Sequence, residues 1–185
     1  MSGVRPDFDS ANLYFVTTTA AQHAHIFRRD AVKRIIADSL SYMRVNRWIN
    51  LYAFVIMPNH VHFISRFLEG HTLSDVMREL KKHTSKQTIR QYQAENNHAV
   101  LKFLKKAADN LPDQQYRVWE GGYDARDVFS PDFLRQKADY IHNNPCQPRW
   151  QLVARPEEYV WSSARYYLLG EPAVIAIDDM RELLM

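Results

Sequence analysis

The segment from residue 48 to residue 67 constrains the fold more than any other part of the chain. It reads WINLYAFVIM-PN-HVHFISRF, two runs rich in β-branched and aromatic residues on either side of a Pro-Asn pair. Such runs are typical of β-strands, and the Pro-Asn pair is typical of a turn. The pattern predicts a β-hairpin with strands at 48–57 and 60–67. The first strand is apolar enough to predict a central position in a sheet.

Two histidines, His60 and His62, interrupt the apolar second strand. Residues two apart in a strand project from the same face, with their Cα atoms about 7 Å apart. Two neutral imidazoles at this spacing can converge on one cation. Alternatively, both histidines are hydrogen-bonded beneath a helix and have no ligand, and the spacing by itself leaves that alternative open.

Other segments carry weaker but readable signals. The run at 13–19, LYFVTTT, predicts a strand. Apolar residues at helical spacing predict one helix that begins with Asp30 as its N-cap and a second with Thr72 as its N-cap. Residues 93–115 are polar and uneven and predict an insertion or a mobile connection. Residues 116–129 predict a strand, a turn and a strand.

A third helix is marked at its start and at its end. Ser130 is a typical N-cap, Pro131 suits the first helical position, and the next proline along the chain ends the helix after residue 144. Tyr140 and Asn144 are four residues apart and therefore share a face of this helix. The predicted apolar stripe lies elsewhere around the helix, so this face is free to line a cleft and to supply a third ligand to the histidine pair.

The order strand, helix, strand, strand, helix, strand, helix predicts an α+β fold. It corresponds to a ferredoxin-like, split βαβ arrangement, with an antiparallel sheet and helices mainly on one face. A chain of 185 residues suits one domain with an appendage. A single cysteine, Cys146, excludes an intramolecular disulfide and fits a reducing cytoplasm. We expect no signal peptide and no membrane span, since the chain has no apolar run of about 18 residues.

The net charge of +3 is small but unevenly distributed. Residues 78–106 carry a marked excess of lysine and arginine. Within this segment Lys82, Lys86 and Arg90 follow one another at intervals of four, which places them on one helical face. This face is a candidate for contact with a polyanion such as DNA. A solvated helix face without a partner would have the same composition.

Three segments together resemble a known family. MPNHVHF at 57–63 resembles the HUH motif of single-strand DNA transposases, and ADYIHNNP at 138–145 resembles the helix that carries their single catalytic tyrosine. The sequence PEEYVWSSARYYLLG at 156–170 is similar to the tail of REP-associated tyrosine transposases, the chromosomal branch of that family. The resemblance spans about residues 13–170.

The resemblance implies a role for each matching residue. His60, His62 and Asn144 correspond to metal ligands, and Tyr140 corresponds to the nucleophile. The family fold implied is the same ferredoxin-like plan, and the family metal is Mg²⁺ or Mn²⁺, although imidazole ligands by themselves suit zinc, copper or iron. Apart from the resemblance, the ordinary pKa of tyrosine, about 10, requires that the phenolate be favoured locally by the metal, by a base or by a nearby cation such as Lys137. A solvated lysine without this role is the alternative for Lys137. Lys137 also joins the candidate DNA-binding residues.

The resulting hypothesis is a metal-dependent endonuclease and strand transferase for single-stranded or hairpin DNA, acting through a covalent 5′-phosphotyrosine. The expected substrate is a REP-like palindrome. An alternative is a domesticated hairpin-binding protein with little or no turnover. A nucleotide hydrolase of the histidine-triad type is disfavoured, because the position for its third alternating histidine is Ile64.

The same hypothesis covers organisation and surroundings. We expect residues 1–145 to form the catalytic domain and residues 146–185 to form a C-terminal extension that packs on it. A monomer is favoured over a homodimer, and the expected location is the cytoplasm, in association with the nucleoid.

Overall fold

The computed structural model describes residues 8–184, and the sheet at its centre has four antiparallel strands. The strands are β1 (Leu13–Thr19), β2 (Ile49–Ile56), β3 (His60–Phe67) and β4 (Asp124–Val128). Within these residues the α-helices are α1 (Asp30–Val45), α2 (Leu73–Ala94), α3 (His98–Lys106), α4 (Pro131–Asn143) and α5 (Ala164–Leu169). Single 3₁₀ turns lie at Ala21–His23, Asn144–Cys146, Pro156–Glu158 and Met180–Leu183.

The strand order is β2-β3-β1-β4, and every neighbouring pair is antiparallel. The connection from β1 to β2 through α1 passes over β3, and the connection from β3 to β4 passes over β1. Such crossovers are right-handed, so α1 and α2, which pack against each other, cover the same face of the sheet. Helix α4 contacts β2 and β3 and lies on the opposite face. The ferredoxin-like α+β prediction is confirmed.

The predicted hairpin is present, but its first strand is not central. β2 is the edge strand of the four-stranded sheet, yet seven of its eight residues are buried. The C-terminal part of the chain covers this edge: the backbone N–H of Ile56 donates to the carbonyl of Trp161 at 2.9 Å, and that of Asp178 donates to the carbonyl of Leu51 at 2.8 Å. The continuous apolar sequence of β2 therefore reflects its burial beneath the C-terminal residues, which cover the strand edge, and not a central position in the sheet.

Side chains of the YVWSS segment fasten this covering. Tyr159 donates its hydroxyl to the carbonyl of Ile56 at 2.9 Å, and the indole of Trp161 donates to the carboxylate of Asp30 at 2.9 Å. The hydroxyl of Ser163 accepts the backbone N–H of Phe54 at 3.0 Å. We call residues 159–178 the clasp, because they hold the β2 edge and the start of α1 together.

A second polar anchor lies at the far end of the clasp. The carboxylate of Asp178 accepts two hydrogen bonds from Arg44 on α1, each 3.0 Å long, and one from the backbone N–H of Leu51 at 2.8 Å. A planar guanidinium and a carboxylate that pair in this way fix both position and orientation. The division at residue 145 into domain and extension stays a prediction, although the extension shares hydrogen bonds with β2 and α1.

Helix starts were predicted well, with one correction. Thr72 and Ser130 accept the backbone N–H of the third residue beyond them, as N-caps do. Asp30 is instead the first residue of α1, and Arg29 holds the cap position without a capping side-chain bond. The Asp30 carboxylate binds Lys33 and Trp161, and these contacts explain why an acidic residue stands there.

Two predictions for the middle of the chain are corrected in part. Residues 93–115 were predicted to be an insertion or a mobile connection, and they contain an ordered helix, α3, which is capped by Asn97 and buries Leu104. Its strongly amphipathic pattern was hidden among lysines. Of the two strands predicted within 116–129, only the second forms as β4, while the first part contributes an isolated bridge between Trp119 and Ala20.

From residue 8 to residue 184, no helix combines the length and the apolarity that crossing a lipid bilayer requires.

Candidate active site

The histidine pair lies on the face of the sheet that α4 covers. His60 and His62 are both buried, at 8% and 5% exposure, and their ring centroids are 4.6 Å apart. Thr17 on β1 pairs in register with His62, so its side chain projects from the same face. Phe15, two residues earlier on β1, stacks on the His62 ring at 5.3 Å. The sheet thus holds both imidazoles in fixed positions.

One nitrogen of each imidazole is engaged, and the other is not. Nδ1 of His60 lies 2.6 Å from Oδ1 of Asn59, whose Nδ2 donates to the carbonyl of His23 at 2.8 Å. The second bond orients the Asn59 amide, so Nδ1 of His60 carries the proton and donates it. Nδ1 of His62 lies 2.8 Å from the hydroxyl of Thr17, whose oxygen can accept a hydrogen bond from the Nδ1–H group. In this tautomer both Nε2 atoms keep a free lone pair, as metal-ligating histidines do.

Both histidines are neutral over the physiological range of pH. Burial lowers the pKa of His60 to about 4, helped by the positive charge of Arg149 and opposed by the neighbouring Asn144 amide. Burial also lowers the pKa of His62 to about 3, and the positive charges of His60, Arg149 and Lys137 lower it further. Neutral imidazole is the form that binds a metal ion, so no proton has to leave before binding at neutral pH.

The end of α4 brings Asn144 to the same place. Asn144 is fully buried, and neither its Oδ1 nor its Nδ2 has a hydrogen-bond partner; the same is true of Nε2 in His60 and in His62. Leaving several buried polar atoms unpaired is costly, and such atoms are rare in folded proteins. These residues therefore fit a cation, which the two Nε2 lone pairs and the amide oxygen would share.

The candidate ligand set is small. Nowhere in residues 8–184 do three or more His, Cys, Asp or Glu side chains converge as a metal cluster. Two imidazoles and one amide leave several positions of a six-coordinate ion open for oxygen atoms of water or of a substrate. All three ligands are also neutral, so a bound ion would keep its full charge for an anionic substrate.

Tyr140 faces this cluster from α4. Its ring lies 5.2 Å from that of His62 and 6.0 Å from that of Phe15, and the side chain is 37% exposed. The ammonium of Lys137, one turn earlier, lies 5.8 Å from the centre of the Tyr140 ring. Burial lowers the pKa of Lys137, and the positive charge of Arg126 lowers it further, while Asp124 opposes this. The prediction that the two histidines, Tyr140 and Asn144 meet at one place agrees with this geometry.

Two neighbours of the site escaped the sequence analysis. Trp150 packs its ring 5.6 Å from that of His60 and 5.4 Å from that of His25. The exposed guanidinium of Arg149 lies over the Trp150 ring and acts electrostatically on both site histidines. The Arg-Trp pair follows the tyrosine helix by only a few residues in the sequence. Without the three-dimensional path of the chain, however, the sequence did not indicate that the pair returns to the site. The sequence also gave no sign that the partly exposed Thr17 and Asn59 are the hydrogen-bond partners of the two histidines.

The predicted basic face of α2 divides between two grooves. Lys82 and Lys86 are exposed and line a cleft of ≈ 670 Å³ together with Arg78, Arg117 and residues 119–122. Arg90 lines a different groove, between α2 and α1. Positions four apart drift by about 40° per step around a helix, and two steps are enough to separate Arg90 from the other two.

The cleft with Lys82 and Lys86 reaches towards the active site. Its wall at Gly121 and Gly122 also borders a shallower groove, and that groove is lined by Thr17 and His23. A polyanion that followed both grooves would therefore pass from α2 to the strand that supports His62. The ammonium of Lys81 ties this wall in place by donating to the carbonyls of Glu120 and Gly122.

The fold and the site together define a class of protein: a ferredoxin-like domain in which a buried histidine pair on the sheet faces a tyrosine on a helix. The model of one family, described as "Transposase IS200 like", matches residues 9–144, which is well over half of the chain. The chain therefore belongs to the IS200-like transposases, a family of DNA-cleaving enzymes. No curated protein matches it significantly in sequence.

Two solved structures are similar to this chain. The first is described as a REP-associated tyrosine transposase bound to a REP hairpin; it is 19% identical, with a TM-score of 0.61, and the match covers 97% of this chain and 93% of that one. The second is a putative transposase from Deinococcus radiodurans R1, 18% identical with a TM-score of 0.45, covering 77% and 97%. At this identity the first shows a shared fold, which includes the region of the C-terminal clasp.

Proposed function

We propose that this transposase cleaves and rejoins single-stranded DNA, with Tyr140 as the nucleophile and a divalent cation held by His60, His62 and Asn144. The observation that carries the proposal is the meeting of three unpaired buried groups with a partly exposed tyrosine whose ring is 5.2 Å from His62. Neutral ligands beside an accessible nucleophile are what a catalytic site for an anionic substrate requires. A structural metal site would instead have all its coordination positions closed by protein ligands.

Each residue has a defined task in this proposal. The two imidazoles and the Asn144 amide orient the ion, which, when bound, supplies Lewis-acid polarisation of the scissile phosphate. Thr17 and Asn59 hold the imidazole tautomers. Expected ions are Mg²⁺ and Mn²⁺, because open coordination positions filled by phosphate and water oxygens suit them.

The chemistry at Tyr140 conserves a phosphodiester bond. Its hydroxyl loses a proton and its oxygen attacks the phosphorus, while the bond from phosphorus to the 3′ oxygen breaks. That oxygen leaves and takes a proton, giving a free 3′-OH and a 5′-phosphotyrosine. Attack by a 3′-OH on the phosphotyrosine reverses these changes and joins strands without an external energy source. The ammonium of Lys137 favours the tyrosine phenolate and the anionic phosphate alike.

The proposed substrate is hairpin DNA with an unpaired flank. Support comes from the similar fold that has been solved with a REP hairpin, and from the cleft lined by Lys82 and Lys86 that leads towards Thr17. Such DNA belongs to the chromosome, so the proposal includes a cytoplasmic location at the nucleoid. A monomer is part of the proposal, because the tyrosine helix of each chain reaches the histidines of the same chain.

A covalent-capture assay tests the proposal. The protein is incubated with end-labelled hairpin DNA that carries single-stranded flanks, with Mn²⁺, with Mg²⁺ or with EDTA, and products are separated on a denaturing gel. We expect a metal-dependent protein–DNA band that Tyr140→Phe and His62→Ala both abolish. Tyr42→Phe, an exposed helical tyrosine next to Trp48, is the matched control.

The outcomes separate the alternatives. Tight hairpin binding without a covalent band under any metal would favour the domesticated binding protein over the enzyme. A band that persists in Tyr140→Phe would contradict the assignment of the nucleophile. Sedimentation of the protein–DNA complex at the concentration of the assay checks the monomer.

A further inference from the structure

An exposed aromatic pair stands beside the active site. Phe129 is 78% exposed, more than any other large apolar side chain in residues 8–184. It stacks on Phe133 with ring centroids 4.9 Å apart and an interplanar angle of 17°. Leaving a phenylalanine in water forgoes the stabilisation that burial would provide. Single exposed apolar side chains are common in folded proteins, so the surroundings of this pair decide whether it is an interaction surface.

The aromatic pair is adjacent to the proposed catalytic centre, because Lys137 lies between Phe133 and Tyr140. The ammonium of Lys137 lies 5.0 Å from the centre of the Phe133 ring and 5.8 Å from that of Tyr140. Positions 129, 133, 137 and 140 follow one another at intervals of four, four and three, so they form one stripe along the start and face of α4. The stripe ends at the nucleophile.

A purely structural role accounts for Phe133 but not for Phe129. Phe133 is half-buried and packs against the core, whereas the residue before an N-cap normally stabilises a helix by burying itself against the first turn. Phe129 occupies that position before Ser130 but stays exposed, with one face on Phe133 and the other face open. The open face is flat, aromatic and accessible.

The charge beside the pair indicates what covers it. Lys137 has its ammonium over the aromatic rings, and the guanidinium of Arg126 acts on it from β4. The nearby Asp124 and Asp132 are each paired with an arginine, Arg126 and Arg135 respectively. An aromatic face next to a cation fits an unpaired nucleotide, which presents a flat base and an anionic phosphate; a hydrophobic peptide would have no use for the cation.

We infer that Phe129, supported by Phe133, stacks one unpaired base of the DNA strand next to the scissile phosphate, while Lys137 contacts the backbone of the same nucleotide. The inference rests on the proposed function and adds to it a binding place for the single-stranded flank. Phe129 is a positioning residue: it fixes how far from Tyr140 the strand is anchored.

A matched set of proteins and DNAs tests the inference. Phe129→Ala, Phe129→Trp and the remote control Tyr42→Ala are compared in binding to a hairpin with an unpaired flank. Each unpaired base is then removed in turn as an abasic site. Loss of one stacked base weakens binding about 5- to 100-fold. We expect Phe129→Ala to show such a loss, Phe129→Trp to recover wild-type binding, and Tyr42→Ala to bind as the wild type does.

The abasic series supplies the decisive readout. At one flank position the abasic DNA should bind the wild type and Phe129→Ala equally, because the base that stacks is already missing. If Phe129→Ala binds intact DNA as tightly as the wild type, or if its defect is the same at every abasic position, the inference is overturned. Failure of the proposed function looks different, since then the wild type gives no covalent band while its binding can still depend on Phe129.

Discussion

The hydroxyl of Thr17 lies 2.8 Å from Nδ1 of His62, on the strand that pairs in register with His62. This hydrogen bond joins β1 to β3 inside the site and leaves Nε2 of His62 as the free nitrogen. Its geometry depends on the sheet and not on a loop. The site is therefore preorganised by strand pairing, before any ion or DNA arrives.

Removing this hydroxyl should weaken metal binding while leaving the fold intact. Thr17→Val keeps the shape of the side chain but frees Nδ1 of His62, and loss of such a supporting contact typically costs 10–100-fold in metal affinity. Calorimetric titration with Mn²⁺ measures the effect. Thr18→Val is the control, because the Thr18 hydroxyl is buried on the other face without a partner. Equal affinities in the two variants would refute a role for Thr17.

Acid should destabilise this protein well above the range in which carboxylates titrate. His60, His62 and the buried His142 have pKa values lowered by burial to about 4, 3 and 4, below the ordinary 6.5. As pH falls below about 6.5, these histidines become protonated in the unfolded chain but stay neutral in the folded chain. The free energy of unfolding is thus retained above that pH and declines towards pH 4.

Replacement of one of these histidines should flatten the decline. Within the window each histidine contributes a slope of up to about 1.4 kcal/mol per pH unit, so His142→Gln should lower the slope by about that amount. Urea unfolding at several pH values between 7.5 and 4.5, without metal, provides the measurement. An unchanged slope in His142→Gln would mean that His142 titrates normally in the folded protein.

The two grooves along α2 predict unequal effects of its basic residues. Lys82→Ala and Lys86→Ala should each weaken hairpin binding and reduce the slope of log affinity against log salt by about 1, because each removes one phosphate contact. Arg90→Ala removes the same charge on a groove that does not reach the site and should change the slope little. Fluorescence anisotropy at increasing salt distinguishes them. A large effect of Arg90→Ala with no effect of Lys82→Ala would place the DNA on the α1 side.

Ser163 should be the more important serine of the WSS sequence. Its hydroxyl accepts the backbone N–H of Phe54 and lies 2.9 Å from Nε2 of His142, so it links the clasp to both β2 and α4. Ser163→Ala leaves buried partners unpaired and should cost about 1–3 kcal/mol of the free energy of unfolding. Ser162→Ala loses a single bond to the N–H of Ala164 and should cost less. Urea denaturation compares the two, and a larger loss in Ser162→Ala would contradict the assignment.

More of the fold than of the surroundings of the site could be predicted from the sequence. The period-two and helical patterns predicted most of the order of strands and helices along the chain. The helix-start residues Ser130 and Pro131 and the proline after residue 144 predicted both ends of α4 to within one residue. Those signals are local. The edge position of β2 was not predictable, because the residues that cover it lie more than 100 positions away. Their backbone and side-chain hydrogen bonds to β2 leave no local pattern in the sequence.

The same distinction applies to the site. The spacing of His60 and His62 and of Tyr140 and Asn144 is local and could be read directly. That the two pairs could share one site was an interpretation of helix geometry, and the role of each residue was supplied by the family resemblance. Arg149 reaches the site only through the turn after α4. The α3 helix was missed because it is short and stands within a polar segment rich in lysine, so that its apolar residues do not form a long periodic pattern.

The clasp has a consequence for how this chain can be shortened. The family match ends at residue 144, yet the hydrogen-bonding groups along β2 are satisfied by residues 161–178. A fragment that stopped at the family boundary would expose the apolar edge of an eight-residue strand, which is the kind of surface through which β-proteins associate edge to edge. Such a fragment should aggregate rather than survive as a smaller transposase. The tail thus acts as a built-in guard of the sheet against polymerisation.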